Sequence, residues 1–213
     1  MIAKSRFTTQ PNLQSPHDLF GQMSVIFQSL RVLSIAMVRQ NLCSDDQYVF
    51  TRGLYITEYK LLIILDATDP LDNNSDIALD RNSHIYGSCR LAAYLYLYMV
   101  LRELPSRAEI VKTVARRLKV LLEGEDGNLL GVWREDMHLL LWICSMGAMM
   151  REDEEEGKYF VKTAKRVVKH LALASFEEYK KAVGEVCWIE CKCWEGHLFD
   201  LWNAASIVLS INK

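Results

Sequence analysis

"SCRLAAYLYLYMVLREL" (residues 88–104) is the stretch that decides the fold class. Its centre, YLYLY, alternates with a period of two, which is typical of a half-buried β-strand. Its length and its opening, Leu91-Ala92-Ala93, favour instead a helix that is buried on most sides. We therefore predict a helix across this stretch, and the remaining sequence contains no convincing hairpin signal.

Helical periodicity continues on both sides and predicts an all-α fold, a single compact bundle of about eight helices. Ser106 with Glu109, and Ser175 with Glu178, have the spacing of capping boxes, which mark helix starts. The helices are predicted at about 15–39, 51–67, 88–104, 106–124, 136–150, 157–173, 175–186 and 197–210. In the fourth of them, the stripe that faces the core is predicted to carry Ile110, Val114, Leu118 and Leu121.

The totals indicate one intracellular globular domain. Of the 213 residues, 50% are hydrophobic and 24% are charged, with a formal net charge of −2. We expect a flexible segment at 1–14 and one helical domain over 15–213. The charge balance gives no electrostatic basis for direct DNA binding. The N-terminus has no secretory signal, and the longest apolar run, 139–150, is shorter than the ~20 residues of a membrane span. We therefore expect no membrane contact and a location in the cytoplasm or the nucleus.

A second informative stretch, "CWIECKCWEGH" (187–197), holds three cysteines and a histidine. Zinc sites usually pair their ligands, and Cys187 with Cys191 would make one acceptable pair. Cys193 and His197 would supply the second pair only across a helix break, since positions 191 and 193 lie on opposite sides of a continuous helix. We therefore predict that this stretch packs into the core and holds no metal and no cofactor.

Ionisable groups inside apolar helices are the candidate functional residues, because burying a charge without a partner is costly. One interpretation is a structural ion pair, such as Arg90 with Asp66 or Glu190. The other is a ligand cavity walled by aromatic rings, and on that interpretation Trp142→Ala lowers ligand binding more than fold stability. The sequence assigns no catalytic residue. The ligand-binding candidates are Arg90, Tyr94, His138, Trp142, Trp188, Glu190 and Trp202.

Three motifs, in this order and spacing, carry a resemblance to a known family: "SCRLAAYLYLYMVLRELP", "LLLWICSMGAMMRED" and "SFEEYKKAVGEVCWIE". Over about 50–203 the chain resembles the C-terminal regulatory region of fungal-specific transcription factors of the zinc binuclear cluster type. The resemblance implies an all-helical regulatory domain. Family members carry six closely spaced cysteines near the N-terminus, whereas the six cysteines here are spread from 43 to 193. The DNA-binding role of the family therefore does not carry over.

Two functions remain open at this point. The first is a stand-alone, non-catalytic domain that binds a small hydrophobic molecule or a protein partner, with a homodimer among the compatible states. The second is a metal-free cyclase or isomerase of fungal secondary metabolism built on the same scaffold. An enclosed cavity of about 300 Å³ or more, into which Arg90, His138 or Glu190 points, favours a ligand or a substrate. A solid core with an exposed apolar groove favours a protein partner.

Overall fold

The structure is a computed structural model that describes residues 19–38, 44–68, 81–124, 128–150, 155–188 and 192–206. Every regular element in these residues is helical, which confirms the all-α prediction. The elements are α1 Leu19–Val38, α2 Ser44–Thr68, α3 Arg81–Leu95, a π-helix Tyr96–Leu101, α4 Glu109–Glu123, α5 Leu129–Val132, α6 Met137–Ala148, α7 Glu155–Leu171, α8 Phe176–Gly184 and α9 Lys192–Ser206.

The opening stretch forms the centre of the molecule. α3 begins at Arg81 and continues without a break into the π-helix, so the stretch is helical as predicted and starts earlier. Every side chain from Ile85 to Leu101 is buried. Neighbouring elements cover this helix on all sides, so the alternation of Tyr and Leu does not separate a buried face from an exposed one. The strand-like pattern therefore does not indicate a strand.

α6 is the second buried helix, and it packs closely against α7. All of its side chains except His138 are buried. The close approach depends on Gly147: a Cβ there would lie nearer to the Phe160 ring of α7 than real Cβ atoms come. Burial of the whole helix explains why the sequence shows an almost continuous apolar run from Leu139 onward.

Helix starts were predicted with uneven success. Ser175 caps α8 as predicted, because its hydroxyl accepts a hydrogen bond from the backbone N–H of Glu178. The capping box at Ser106 is wrong: α4 begins at Glu109, and its N-cap residue, Ala108, has no side-chain acceptor. The face of α4 that packs on the core also differs from the predicted stripe, because Ile110 is 47% exposed. The buried residues of α4 are Val111, Ala115, Leu118, Leu121 and Leu122.

Two other helix starts also differ from the prediction. α2 begins at Ser44, ahead of the predicted start at 51, and Asp45 and Asp46 in its first turn stabilise the positive end of the helix dipole. α9 begins at Lys192 and runs through the predicted boundary at 197. The flexible segment predicted at 1–14 lies outside the described residues.

One described segment, Gly21–Val38 in α1, is long and apolar enough to cross a membrane by length and composition alone. A third of this segment is buried within the protein, where Met23, Phe27 and Leu30 reach the core. The core helix of a soluble protein satisfies the same test, so this is weak evidence and the absence of membrane contact stays a prediction.

Candidate functional site

Cys187, the first residue of the sulfur-rich stretch, lies in the core. It is fully buried, and its Sγ lies 3.9 Å from the hydroxyl of Ser34. Burial raises the pKa of this thiol to about 11, against the opposing effect of hydrogen bonds from Tyr96 and Ser34. A metal would have to bind the thiolate, and this environment favours the thiol. Cys191 lies outside the described residues, as does the side chain of Cys193.

Trp142 is buried beside this cysteine. Its indole N–H donates a hydrogen bond of 2.6 Å to the backbone carbonyl of Cys187, and its ring is fully covered. Phe27 contacts the ring edge-on at 5.4 Å between centroids, and Tyr96 lies at 6.0 Å. The ring thus joins α1, the π-helix and the segment after α8, and its one polar group is satisfied by the protein itself.

Arg90 and Tyr94 lie on one buried stripe of α3. Arg90 is 2% exposed, and Tyr86 and Tyr94, one turn before it and one turn after it, are also buried. Burial raises the pKa of Tyr86 to about 12, and the charge of Arg90 opposes that rise. Burial also raises the pKa of Tyr94, with a contribution from Tyr98. The hydroxyls of Tyr86 and Tyr94 have no hydrogen-bond partner among the described residues.

The stripe ends at a polar cluster between the π-helix and α2. Glu58 of α2 accepts a hydrogen bond from the hydroxyl of Tyr98 at 3.1 Å and one from Arg102 at 2.5 Å. Burial and the neighbouring carboxylate raise the pKa of Tyr98 to about 12. These contacts join α2 to the centre of the bundle.

The four remaining candidates lie in different surroundings. His138 is on the surface, where its Nδ1 lies 2.5 Å from the carboxylate of Glu185. Trp202 is buried, with its ring 5.7 Å from that of Tyr179. Trp188 is half-buried against the core. Glu190 lies outside the described residues, and so do the side chain of Asp66 and the ion pair proposed for it.

The candidates therefore do not converge on one cavity in the described part of the chain. Trp142 and Trp202 pack against separate partners, and His138 pairs at the surface. The described residues also hold no cluster of three or more His, Cys, Asp or Glu side chains with a metal-binding arrangement.

A cavity of about 330 Å³ lies instead at the surface, open to solvent on one side. It lies where the end of the π-helix and the turn after it meet the end of α6 and the first turns of α9. Two methionines, a leucine, a proline and a tryptophan supply most of the wall. The lining residues are Met99, Glu103, Leu104, Pro105, Ser106, Met149, Trp194 and His197.

Glu103 on the rim has an uncommon backbone conformation. Its φ is +52°, in the left-handed region that a residue with a Cβ enters at a cost of about 1 kcal/mol. It follows Arg102, the C-cap of the π-helix, and the next residue, Leu104, donates a backbone hydrogen bond of 2.9 Å to Tyr98. The donor and the acceptor are six positions apart, and a left-handed residue just after a helix C-cap is usually glycine. A charged residue stands here at the edge of the cavity in place of the favoured glycine.

Trp194 and His197 form the opposite wall. Their rings lie 5.5 Å apart on α9, and His197 is exposed. The indole N–H of Trp194 is shielded from solvent and has no acceptor among the described residues. Buried donors of this kind are rare in folded proteins.

None of the eight lining residues was predicted as a site residue. They come from three segments far apart in the sequence, and no motif or spacing joins them. The one available signal was Glu103-Leu104-Pro105, since the residue before a proline tends to leave the helix. That signal marks a helix end and gives no information on a cavity. Comparison with protein-family models, with curated proteins and with solved structures gave no match.

Proposed function

We propose that this chain is a non-catalytic binding domain, and that its ligand is a small hydrophobic molecule held in the surface cavity between the π-helix and α9. The single observation that carries the proposal is the cavity, whose volume of about 330 Å³ falls within the range of small-molecule sites. Its wall combines apolar side chains with three polar residues, Glu103, Ser106 and His197. A regulatory domain of the kind implied by the fungal transcription factor resemblance would have this function.

The lining residues define the ligand's chemistry. Met99 and Met149 are flexible and polarisable, and they adapt to a flat aromatic ring at a favourable sulfur–ring distance. The ring of Trp194 offers a stacking surface for the same ligand. The carboxylate of Glu103 accepts hydrogen bonds only, so it favours a ligand that carries an amine over one that carries an acid. The preferred ligand is therefore an aromatic molecule with a protonated nitrogen.

Open access to solvent favours binding over catalysis. A metal-free cyclase depends on excluding water and on enclosing its substrate. The cavity is open on one side, and of the three candidate groups for such chemistry Arg90 and His138 do not line it, while Glu190 lies outside the described residues. The proposed domain therefore recognises a molecule and does not transform it.

Three probes of the same ring system test this proposal: tryptamine, indole and indole-3-acetate, each titrated by ligand-observed NMR. We expect tryptamine to bind about two- to fivefold more tightly than indole, since an exposed ion pair contributes at most about 1 kcal/mol. Indole-3-acetate should bind most weakly. Glu103→Gln should remove the preference for tryptamine and keep the affinity for indole.

The matched control is Glu177→Gln on α8, an exposed carboxylate outside the cavity. This variant should keep the order of the three affinities. Failure of all three probes to bind up to their solubility limits would refute the proposal, and so would an unchanged preference in Glu103→Gln.

A further inference from the structure

α2 carries a second apolar face that the described part of the protein leaves largely exposed, with the guanidinium of Arg102 5.0 Å from the ring of Tyr55. Its core side is formed by Leu54, Thr57 and Leu61, which are all buried. The opposite side also carries large apolar side chains, each between 43% and 67% exposed. They are Tyr48, Val49, Tyr55, Ile56, Tyr59, Leu62 and Ile63. Arg52 lies among them and is exposed.

These eight positions form one stripe. At 100° per residue they fall within an arc of about 140°, almost diametrically opposite the core side. A helix that is apolar on two opposite sides is normally buried on both. Scattered exposed hydrophobic residues need no explanation, but a contiguous stripe of seven marks an interaction surface.

The spacing of the stripe indicates what covers it. The intervals between neighbouring stripe positions are in the same order from either end of the helix, with a midpoint between Tyr55 and Ile56. The positions are 48, 49, 52, 55, 56, 59, 62 and 63. A two-fold symmetric interface requires this property, because each residue must meet the residue related to it by the axis. The seven-residue intervals are those that keep two packed helices in contact along their length.

We propose that a second copy of this chain binds this face, with the two α2 helices antiparallel and a two-fold axis between Tyr55 and Ile56. In this register Tyr48 meets Ile63 of the other copy, and Val49 meets Leu62. Arg52 meets Tyr59, which gives a cation–π contact.

Charge selects the antiparallel arrangement. Parallel helices would place Asp45 and Arg52, which fall within the arc of the stripe, next to their own copies, where like charges repel. Antiparallel helices separate the two copies of Arg52 and place each beside Tyr59, and the like-charged positions that remain, 45 opposite 66, lie at the two ends of the interface. The acidic turn also makes an anionic membrane surface an unfavourable occupant of this face.

The area is sufficient for a stable dimer. With side chains of ordinary size, the seven apolar residues expose on the order of 900 Å², and specific interfaces bury about 800 Å² per partner. α1 lies beside α2, and Gly53 permits the contact, because a Cβ there would lie 2.9 Å from Leu33. The outer side of α1 adds Val32, Ile35 and Val38, which are also exposed.

Sedimentation of the full chain over a micromolar concentration series tests the proposal. We expect a species of twice the 24.6 kDa chain mass. Ile56→Glu places two carboxylates beside the axis and should weaken self-association at least tenfold. The control is Ile110→Glu on α4, because Ile110 is 47% exposed and Ile56 is 43% exposed. The control should stay dimeric.

A paired substitution tests the register. Val49→Glu and Leu62→Lys should each weaken the dimer, and the double variant should recover it, because antiparallel pairing places the two opposite charges together. A monomeric wild-type chain would overturn the proposal. So would a monomer that floats with phosphatidylcholine vesicles, which would assign the face to a membrane. If Ile56→Glu is monomeric and still binds tryptamine, the dimer and the ligand cavity are independent.

Discussion

Burial sets the chemistry of individual residues in this protein. The thiols of Cys89, Cys144 and Cys187 are buried, and burial raises the pKa of each of them. Clusters of cysteine and tryptophan in apolar helices predicted such a core, and the three described cysteines follow that prediction. The sequence did not predict which polar atoms would be satisfied, since the acceptor for Trp142 is a backbone carbonyl 45 positions away.

The raised pKa values predict a loss of stability in alkali. Each buried thiol or phenol favours its neutral form in the folded state, so its stabilising contribution is present below the unfolded pKa and is lost as pH rises toward the folded value. For Cys187 the pH window runs from an unfolded pKa of about 9 to a folded pKa of about 11. For Tyr86 and Tyr98 it runs from about 10 to about 12. Thermal unfolding should show a constant melting temperature from pH 7 to 8 and a steady fall above pH 9. A melting temperature that stays constant to pH 11 would contradict the burial of these groups.

The position of Trp142 in the core predicts a role in stability. Because the ring is fully buried and its N–H is bonded to Cys187, Trp142→Phe should lower the free energy of unfolding by about 1–3 kcal/mol. Trp194→Phe is the matched control, since that indole has no acceptor among the described residues. It should cost less than about 1 kcal/mol. Urea denaturation measures both, and equal losses would argue against a core role for Trp142.

At the scale of elements, periodicity predicted that helices exist and left their ends poorly defined. The helix predicted at 157–173 is found as α7, because apolar and charged residues separate cleanly around it, whereas the start of α4 was wrong. Ser106 and Glu109 have the capping spacing, but Pro105 and the left-handed Glu103 delay the helix until Ala108. Tertiary structure overrides a short capping signal in such cases.

Substitutions of two glycines test the packing of the helices directly. Gly147→Ala should destabilise the protein by about 1–3 kcal/mol, because the new methyl group collides with the buried Phe160 ring. Gly196→Ala should stabilise it by about 0.5–1 kcal/mol, since nothing lies within 4 Å and α9 continues through this residue. Chemical denaturation compares the two variants. A loss in Gly196→Ala would indicate a helix break there, as a zinc site in this stretch would require.

At the scale of the whole molecule, the fold class followed from the sequence and the two proposed surfaces did not. The core is encoded by local apolar periodicity, which a single sequence displays. The cavity is formed by segments near 99–106, 149 and 194–197, which only the tertiary structure brings together. The outer face of α2 was hidden for a related reason: with apolar residues on both sides of the helix, the pattern does not show which side faces the core.

If the interior indoles only form the core and the ligand binds at the surface cavity as proposed, Trp194 is the indole that meets the ligand. Two-dimensional ¹⁵N–¹H NMR of the indole N–H groups during a tryptamine titration tests it most directly, with Trp194→Phe to assign the signal of Trp194. We predict a concentration-dependent shift of the Trp194 signal and unchanged signals from Trp142 and Trp202. A shift of Trp142 or Trp202 with an unchanged Trp194 would contradict the account, because the ligand would then bind inside the bundle.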